Sequence, residues 1–543
     1  MCFEVRQRDL MARLGTIETK GGKFETPALL PVVNPAIQLV SPRELRELGF
    51  KALITNAYII MRHFGDRAKE EGIHGILDFD GVVATDSGAY QLLVYGHVEV
   101  GPDEVVAYQE AIGSDIATIL DVPTGWANSR EEALETVVET ARRGEALWSI
   151  KERDDVLWIG PIQGGRFTDL VAYSARLMSS MPFHIHALGS PTVVMEAYRF
   201  DVLVDMILAA RLNTPPGRPL HLFGAGHPVV FALAVALGCD TFDSAAYAIY
   251  ARDGRYMLEN GTYRLEELEY LPCSCPVCAR REPSDLLEMP RWERERLLAL
   301  HNLYVCLREL RAIRQAIREG GLWELLALRA RSHPSLAKAL RKLACYSDII
   351  EKCSPTSRKK GVFIFSPLDM YRPEVVRFRE RLLRRFRPPT KRVLLLMPYT
   401  TGRPFSRTPE HDSFFSTLVA RLGAEGAKQV HLCLLGLPFG ITPVELDQLH
   451  PLSQHEFPGP NWGFEQWALS LLVAYVRKHA YRHVVLVSDG SPLAEGAREA
   501  LEGARLPNSS CLYVLYVREP WSGEGLEEVA IFLSNLLRGQ EVG

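Results

Sequence analysis

From the N-terminus to about residue 265, short apolar runs alternate with amphipathic stretches, and this alternation restricts the possible folds most. The apolar runs predict strands at Ala52–Thr55, Val82–Thr85, Ile116–Leu120, Leu157–Ile162, Ile185–Leu188, Leu220–Phe223 and Thr241–Asp243. The stretches between them predict helices at Ser41–Leu48, Pro102–Ala111, Ser129–Ile150, Phe167–Ser180, Met195–Ala210 and Pro228–Leu237. Repeated strand–helix units build parallel sheets, and about eight units favour a closed TIM-type (β/α)8 barrel over an open doubly wound sheet.

The rest of the chain predicts two further regions. Residues 271–353 combine a cysteine-rich segment with a long helical stretch, and we expect them to form a zinc-binding and helical subdomain that completes the barrel domain of residues 1–270. The polar and basic segment Ser354–Lys360 predicts a linker. Strands and helices alternate again over residues 361–543, so we predict a second α/β domain there.

Composition indicates a globular cytoplasmic enzyme. Of 543 residues, 47% are hydrophobic and 24% charged, which is ordinary for a folded protein with an ample core. No apolar run reaches the roughly 18 residues of a membrane span, and the first residues lack the basic-then-apolar pattern of a secretory leader. The cysteines outside residues 273–278 lack disulfide-scaffold spacing, so we expect them to be reduced.

One mid-chain stretch is strongly basic. Residues 329–392 contain 18 Lys and Arg against 5 Asp and Glu, although the whole chain has a net charge of -4. Such an excess is typical of a surface that binds a polyanion, and it is equally typical of solvated helix faces.

Three cysteines stand within six residues in Pro-Cys-Ser-Cys-Pro-Val-Cys, and His301 follows in the helical stretch. Cys273, Cys275, Cys278 and His301 provide three thiolates and one imidazole, which complete a tetrahedral Zn²⁺ site without an open position for substrate. We therefore predict one structural zinc ion per chain; three unrelated buried thiols are the alternative.

Three carboxylates each follow a predicted strand. Asp86 opens Asp-Ser-Gly-Ala-Tyr-Gln, Asp121 closes Ile-Ala-Thr-Ile-Leu-Asp, and Asp243 closes Gly-Cys-Asp-Thr-Phe-Asp. A single Asp in such a place is often a helix N-cap, but three of them beside the Gln-Gly-Gly turn at Gln163 indicate a site. Catalytic residues of such barrels lie after strand C-terminal ends, and paired carboxylates suit cleavage and re-formation of a glycosidic bond with retention.

Together these motifs resemble those of tRNA-guanine transglycosylases. The resemblance covers residues 1 to about 310 and rests on four elements in the family's order: Asp-Ser-Gly-Ala-Tyr-Gln, Gln-Gly-Gly, Phe-Asp-Ser-Ala-Ala-Tyr and the cysteine–histidine set. The α/β extension is similar to that of the archaeal branch. That branch replaces guanine at position 15 of the tRNA D-loop with 7-cyano-7-deazaguanine, the first step of archaeosine synthesis.

The resemblance implies two catalytic carboxylates. Asp243 or Asp86 would attack ribose C1′ to form a covalent ribosyl-enzyme, and we favour Asp243 as nucleophile and Asp86 as general acid/base. The remaining implied residues would bind the base. Asp121 would accept its N1–H and amine hydrogens, Gln163 and Gly164 would contact O6, and Ala187, Leu188 and Gly189 would line its far side. Tyr90 would stack on the base or pack in the core.

The chain departs from the archaeal pattern in two places. Ala89 replaces the Gly or Ser of many relatives, and no PUA-type RNA-binding module is recognisable. We therefore expect tRNA to be held by the basic stretch or by a separate PUA-type polypeptide, and a homodimer through the zinc region is a further expectation. Two other functions remain open: a barrel N-glycosidase that hydrolyses nucleosides or sugars with the same carboxylates, and a non-catalytic tRNA-binding scaffold.

Overall fold

The computed structural model describes residues 2–88, 101–400, 402–504, 506 and 510–539. The chain divides into two compact units. The first runs to Tyr346 and also includes Cys353–Ser357, and the second comprises Ser347–Lys352 and the chain from Arg358 onward. Among the described residues, no helix combines the length and the apolar character needed to cross a bilayer.

The first unit contains a closed barrel of eight parallel strands, which confirms the predicted fold class. Its strands are β4 (Ala28–Val33), β5 (Ala52–Asn56), β6 (Val82–Asp86), β7 (Ile116–Thr118), β8 (Leu157–Ile162), β9 (Ile185–Leu188), β10 (Leu220–Leu222) and β11 (Thr241–Ser244). Each strand pairs with the next in sequence, and β11 pairs with β4 to close the ring. The strand β4 was absent from our predicted set.

An antiparallel sheet precedes the barrel and was not predicted. It consists of β1 (Phe3–Asp9), β2 (Ala12–Thr19) and β3 (Gly22–Thr26) in that order. Phe3, Ile17 and Phe24 from this sheet pack in one buried cluster with inward-facing residues from the N-terminal halves of the barrel strands. The sheet therefore covers the N-terminal end of the barrel, and polar side chains can lie at the C-terminal end of the strands.

Helices follow the barrel strands close to the predicted positions. They are α1 (Pro42–Leu48), α2 (Ala57–Phe64), α3 (Arg67–Leu77), α4 (Pro102–Ala111), α5 (Arg130–Ile150), α6 (Thr168–Ser179), α7 (Thr192–Glu196), α8 (Phe200–Arg211), α9 (Pro228–Ala236) and α10 (Ala246–Arg252). Capping boxes start two of them, with Ser41 and Glu44 at α1 and Ser129 and Glu132 at α5. The predicted single helix Met195–Ala210 is wrong, because the chain breaks it between α7 and α8.

The barrel is followed by a hairpin and a group of helices. The hairpin pairs β12 (Arg255–Leu258) with β13 (Gly261–Arg264). The helices are α11 (Pro283–Glu288), α12 (Arg291–Glu319), α13 (Leu322–Arg329), α14 (Pro334–Leu343) and α15 (Ser347–Cys353). The long helix α12 ends at Gly320, whose φ of 75° is a left-handed conformation that glycine adopts without strain.

The second unit is an α/β sheet with helices on both faces. Its strands are β14 (Val362–Phe363), β15 (Val393–Pro398), β16 (Val430–Gly436), β17 (Gly440–Pro443), β18 (His455–Glu456), β19 (His483–Ser488) and β20 (Cys511–Tyr516). Its helices are α16 (Pro373–Arg384), α17 (Pro409–Ala427), α18 (Glu465–His479), α19 (Pro492–Glu502) and α20 (Gly523–Arg538). Five strands form the main sheet in the order β17-β16-β15-β19-β20, whereas the predicted strand at Val362 pairs only with β18 among the described residues.

Candidate active site

Three carboxylates gather at the C-terminal end of the barrel. Asp86 is the last residue of β6, Asp243 is the next-to-last residue of β11, and Asp121 follows β7 by three residues. All barrel strands are parallel, so these positions lie at the same end of the barrel. Their charges lie close enough that Asp121 and Asp243 both raise the pKa of Asp86.

The pKa of Asp86 is raised further than that of Asp121. Its pKa is raised to about 7, first by burial and then by the charges of Asp121 and Asp243. Asn56, at the end of β5, donates a hydrogen bond from Nδ2 to Oδ2 of Asp86 at 3.2 Å. Near neutral pH this carboxyl exists in both protonation states, which suits a group that gives and takes a proton.

Asp243 is held in one orientation by two hydrogen bonds to the same oxygen. His221 Nε2 lies 3.0 Å from Oδ1, and the Gly224 N–H donates to Oδ1 at 2.9 Å. His221 is buried, and its Nδ1 lies 2.9 Å from Thr241 Oγ1. One arrangement that satisfies both contacts has the Nε2–H donating to Asp243 and Nδ1 accepting from the Thr241 hydroxyl. Both contacts use Oδ1, so Oδ2 is the oxygen that can react with a ligand.

Asp121 and Gln163 form a buried polar pair beside these carboxylates. The Gln163 side-chain amide donates to Asp121 Oδ2, and its Oε1 accepts from the Thr124 N–H at 3.0 Å and from Ser190 Oγ at 3.1 Å. Burial raises the pKa of Asp121 to about 6, while the Gln163 hydrogen bond opposes the rise. Asp121 therefore remains mostly ionised at neutral pH and can accept two hydrogens from a planar base.

Close packing next to the Asp121–Gln163 pair requires glycine at two positions. A Cβ on Gly189 would lie 2.4 Å from Nε2 of Gln163, so a side chain there would displace the amide. Gly164 has a φ of 129°, and a Cβ on it would lie 2.6 Å from the Val171 nitrogen. The N–H of Gly164 donates to Thr124 Oγ1 at 3.0 Å, so this group is already engaged rather than directed at a base.

The end of β9 carries the residues that our sequence analysis assigned to the far side of the base. Ala187 is buried in the cluster that fills the barrel interior, and strand alternation turns the buried Leu188 side chain away from that interior. Leu188 can therefore meet a ligand only through its backbone, whereas Ala187 presents a small methyl group. Tyr90 and Ala89 lie outside the described residues.

Our sequence analysis missed four polar residues that support the site. Asn56, Thr124, Ser190 and His221 each bond a predicted site residue. A signal existed for two of them, because Asn56 directly follows a predicted strand and His221 interrupts an apolar one. Thr124 and Ser190 lie in loops, where sequence gives no such signal.

The four predicted zinc ligands come together. The donor atoms of Cys273, Cys275, Cys278 and His301 all lie within 4.8 Å of one another. His301 Nε2 lies 2.9 Å from the Met257 carbonyl oxygen, which fixes the proton there and leaves Nδ1, 3.4 Å from Cys278 Sγ, for a metal. The Tyr256 ring stacks on His301 at a centroid distance of 3.7 Å. This donor set can hold a metal ion.

Many basic residues of the stretch 329–392 form ion pairs within their own unit. The pairs are Arg329–Glu309, Lys338–Asp201 and Lys342–Asp205 in the first unit, and Arg358–Glu374, Arg372–Glu374 and Arg377–Glu351 in the second. Arg384, Arg385 and Arg387, at and after the end of α16, are exposed. Ion pairs therefore account for part of the stretch, and the polyanion hypothesis is tested below at these three arginines, of which Arg384 also pairs with Glu380 at 3.6 Å.

Comparison with known proteins decides the family. A family model described as queuine tRNA-ribosyltransferase matches residues 9–335. A protein of Aeropyrum pernix is 51% identical over 69% of this chain and 74% of its own length, and one of Sulfolobus acidocaldarius is 41% identical over 84% and 89%. Both are named tRNA-guanine(15) transglycosylase. The chain belongs to the tRNA-guanine transglycosylase family.

The similarity of this transglycosylase-family chain extends beyond the barrel. A protein of Methanocaldococcus jannaschii with the same name is 42% identical over 84% of this chain and 69% of its own length. A second family model, described as a domain of unknown function, matches residues 375–531. These residues include the main sheet of the second unit. The family membership that rests on the barrel does not define the function of that sheet.

Proposed function

We propose that the chain replaces guanine at position 15 of the tRNA D-loop with 7-cyano-7-deazaguanine, the first step of archaeosine biosynthesis. The observation that carries this proposal is the meeting of Asp86, Asp121 and Asp243 at one end of the barrel, where their charges act on one another. The names of the relatives support guanine in tRNA as the base that is exchanged.

In the first half-reaction, Oδ2 of Asp243 forms a bond to ribose C1′ while the bond between C1′ and the guanine nitrogen breaks. The electron pair of that bond stays with guanine, and the protonated Asp86 carboxyl donates a proton to the departing base. The bonds from His221 and Gly224 to Oδ1 hold the attacking carboxylate in place. The product is a ribosyl ester of Asp243.

In the second half-reaction, the incoming deazaguanine enters the position that guanine left. Asp86, now ionised, takes a ring N–H proton from this base, whose nitrogen attacks C1′ and releases Asp243. Two inversions at C1′ restore the original stereochemistry. Asp121 and Gln163 would orient both bases, and the small Ala187 leaves room for a linear, uncharged nitrile.

The exchange of labelled guanine into unmodified tRNA tests this function. The wild-type chain should incorporate label, and Asp243→Asn and Asp86→Asn should each reduce incorporation by at least about 10³-fold, because each removes a group essential to bond exchange. Asp154→Asn, at an exposed surface carboxylate, is the matched control. A competition assay then ranks the incoming bases, with guanine, 7-cyano-7-deazaguanine and its aminomethyl analogue offered together as acceptors.

Two results would contradict the proposal. Release of free guanine without incorporation would indicate the alternative, an N-glycosidase in which water replaces the incoming base. Unchanged tRNA binding in both Asn variants, together with no exchange by the wild type, would indicate a binding scaffold.

The cysteine–histidine cluster is proposed to hold one Zn²⁺ ion with a structural role. Three thiolates and the Nδ1 atom of His301 fill a tetrahedral shell, so the ion would stabilise the fold and supply no position for substrate. Its place between the hairpin β12–β13 and helix α12 supports that role, since His301 bonds the hairpin carbonyl of Met257.

We also propose tRNA and the two free bases as partners, with the chain located in the cytoplasm. The exposed arginines after α16, or a separate PUA-type polypeptide, would supply tRNA affinity beyond the site. A homodimer through the zinc region is supported by two exposed aromatic side chains there, Tyr270 at 75% and Trp292 at 66% exposure.

A further inference from the structure

We propose that an aromatic surface on the Asp243 side of the barrel mouth binds a nucleobase that flanks the exchanged nucleotide of tRNA. We call Tyr198, His227, Tyr250 and His333 the mouth aromatic surface. The inference rests on the proposed function and adds a second base-binding position to it.

Tyr198 is the centre of this surface. Its ring is 51% exposed, yet one face stacks on His333 at a centroid distance of 4.7 Å and an interplanar angle of 27°. Phe200 meets it edge-on at 5.7 Å. A ring already held on two sides loses little freedom when a third ring stacks on it, which makes it a preformed platform for a base.

The backbone at Tyr198 is fixed by the end of helix α7, because the Tyr198 N–H donates to the Met195 carbonyl at 3.0 Å and the Arg199 N–H donates to the Val194 carbonyl at 2.9 Å. Its φ of 54° lies in the left-handed region, which a bulky residue adopts at a cost. Ser190, at the other end of the α7 segment, has a φ of 58° and bonds Gln163 of the base-binding pair. The segment thus contacts the base-binding pair at Ser190, and its helix cap fixes the backbone that carries the Tyr198 ring.

Two chains of contacts link the surface to Asp243. Gly224 donates to Asp243, and a Cβ on Gly224 would lie 2.7 Å from Thr192 Oγ1, the first residue of α7. Helix α7 starts at Thr192 and ends at Glu196, and Tyr198 follows two residues later, so the ring lies at the end of the short segment whose start contacts the loop that holds Asp243.

The second chain runs through the loop after β10. A Cβ on Gly226 would lie 2.1 Å from that of Ser244, the neighbour of Asp243, and the following His227 lies 6.0 Å from Tyr250 between ring centroids. The pKa of Tyr250 is raised, mainly by burial, and the charge of Tyr198 adds to the rise. The two ring pairs, Tyr198–His333 and His227–Tyr250, therefore lie within electrostatic reach of each other.

The charges around the rings favour a nucleic acid base over an acidic or basic protein segment. The Arg255 guanidinium lies 4.9 Å above the Tyr250 ring, and Arg199 is exposed beside Tyr198. Asp253, 3.8 Å from Arg255, and the exposed Glu196 offset these cations. A nearly neutral aromatic surface next to a ribose-binding site gains most from stacking, which is tolerant of base identity.

Two substitutions remove a ring while they preserve the local backbone. Tyr198→Asn deletes the platform, and Asn tolerates the left-handed conformation better than Tyr. His333→Asn deletes the stacking partner, and Asn can replace its role as N-cap of α14, where His333 Nδ1 accepts from the Ser335 N–H at 3.1 Å. Tyr198→Phe keeps the ring, and Tyr173→Asn, at a half-exposed ring on α6, is a control away from the mouth.

The test measures binding of unmodified tRNA and the fluorescence of 2-aminopurine placed on either side of the exchanged nucleotide. We expect quenching at one of these positions with the wild type and with Tyr198→Phe. Tyr198→Asn should abolish the quenching and weaken tRNA binding by roughly tenfold, and His333→Asn should do so partly. The salt dependence of binding should not change, because no phosphate contact is removed.

Absence of quenching at both positions in the wild type overturns the inference, whatever the variants do. Binding and quenching within twofold of wild type in both ring-deletion variants overturns it as well. Exchange of labelled guanine is measured in parallel: if exchange is present and quenching absent, this inference alone fails, whereas loss of exchange in the wild type contradicts the proposed function.

Discussion

Asp86 and Asp121 are two acids in one site whose proposed tasks need opposite protonation states. Asp86, with a pKa of about 7, must be protonated when guanine leaves. Asp121, with a pKa of about 6, must be ionised when it accepts hydrogens from the base. Both values are raised chiefly by burial, so the pH range in which both states coexist is set by how the barrel mouth excludes water.

The pH dependence of guanine release should therefore be a narrow bell. Below about pH 6 Asp121 becomes protonated and recognition is lost, and above about pH 7 Asp86 is ionised and cannot donate. Asn56→Ser removes the donor to Asp86 but keeps a side-chain oxygen that can cap α2, so it should raise the pKa of Asp86 and move only the alkaline limb upward. A profile of kcat/KM against pH measures both limbs; a downward move of the alkaline limb would be inconsistent with this assignment.

His221 should act as a positioning residue for Asp243. We expect His221→Ala to lower kcat by about 10- to 100-fold with little change in KM for tRNA, because the attacking carboxylate loses one of two orienting bonds. His221→Gln retains a side-chain donor and should recover part of the loss. Single-turnover formation of the covalent intermediate distinguishes the two variants, and an equal loss in both would mean that the cavity, not the hydrogen bond, is responsible.

At the scale of elements, local sequence signals determined where most helices begin. Ser41 and Ser129 start α1 and α5 at the predicted places because each forms a capping box with the Glu three residues later. The break at Tyr198 was not predictable, since Met195–Ala210 has helical periodicity throughout. At the interruption Tyr198 caps α7 in the left-handed conformation and stacks on His333, a residue 135 positions further along the chain.

The metal cluster joins the hairpin β12–β13 to helix α12, so its removal should loosen that region. We expect one zinc per chain by elemental analysis, none in Cys275→Ser or Cys278→Ser, and a lower melting temperature for both. Cobalt substitution should give a tetrahedral thiolate spectrum and retain guanine exchange. Loss of exchange in a well-folded cobalt protein would contradict a purely structural role.

The end of helix α16 should contribute to tRNA affinity through charge. Arg384→Gln, Arg385→Gln and Arg387→Gln together should weaken tRNA binding and reduce the slope of log affinity against log salt by about two, because up to three phosphate contacts are lost. Arg421→Gln with Lys428→Gln, two exposed charges in ion pairs of the same unit, is the control. An unchanged slope in the triple variant would assign these arginines to a solvated surface.

At the scale of the whole molecule, exposed aromatic side chains near the metal cluster predict self-association. Tyr270→Gln with Trp292→Gln should convert a dimer into a monomer in sedimentation experiments, since each replaces a large exposed apolar surface by a polar one. Trp462→Gln, at 56% exposure in the second unit, should leave the dimer intact. A wild-type chain that sediments as a monomer at micromolar concentration would rule out this interface.

The sequence by itself determined the barrel and the common position of three candidate carboxylates. Strand–helix alternation is a local pattern, and a carboxylate after a parallel strand must lie at the C-terminal end of the sheet, so Asp86, Asp121 and Asp243 could be assigned to one mouth before any coordinates. The cysteine spacing likewise indicated the metal cluster.

Only the tertiary structure decided what each site residue contacts. His221 beside Asp243, Asn56 beside Asp86 and Tyr198 against His333 join residues far apart in sequence, and such pairs depend on barrel register and helix packing. The raised pKa of Asp86 has the same origin, because burial and neighbouring charge exist only after the chain has folded.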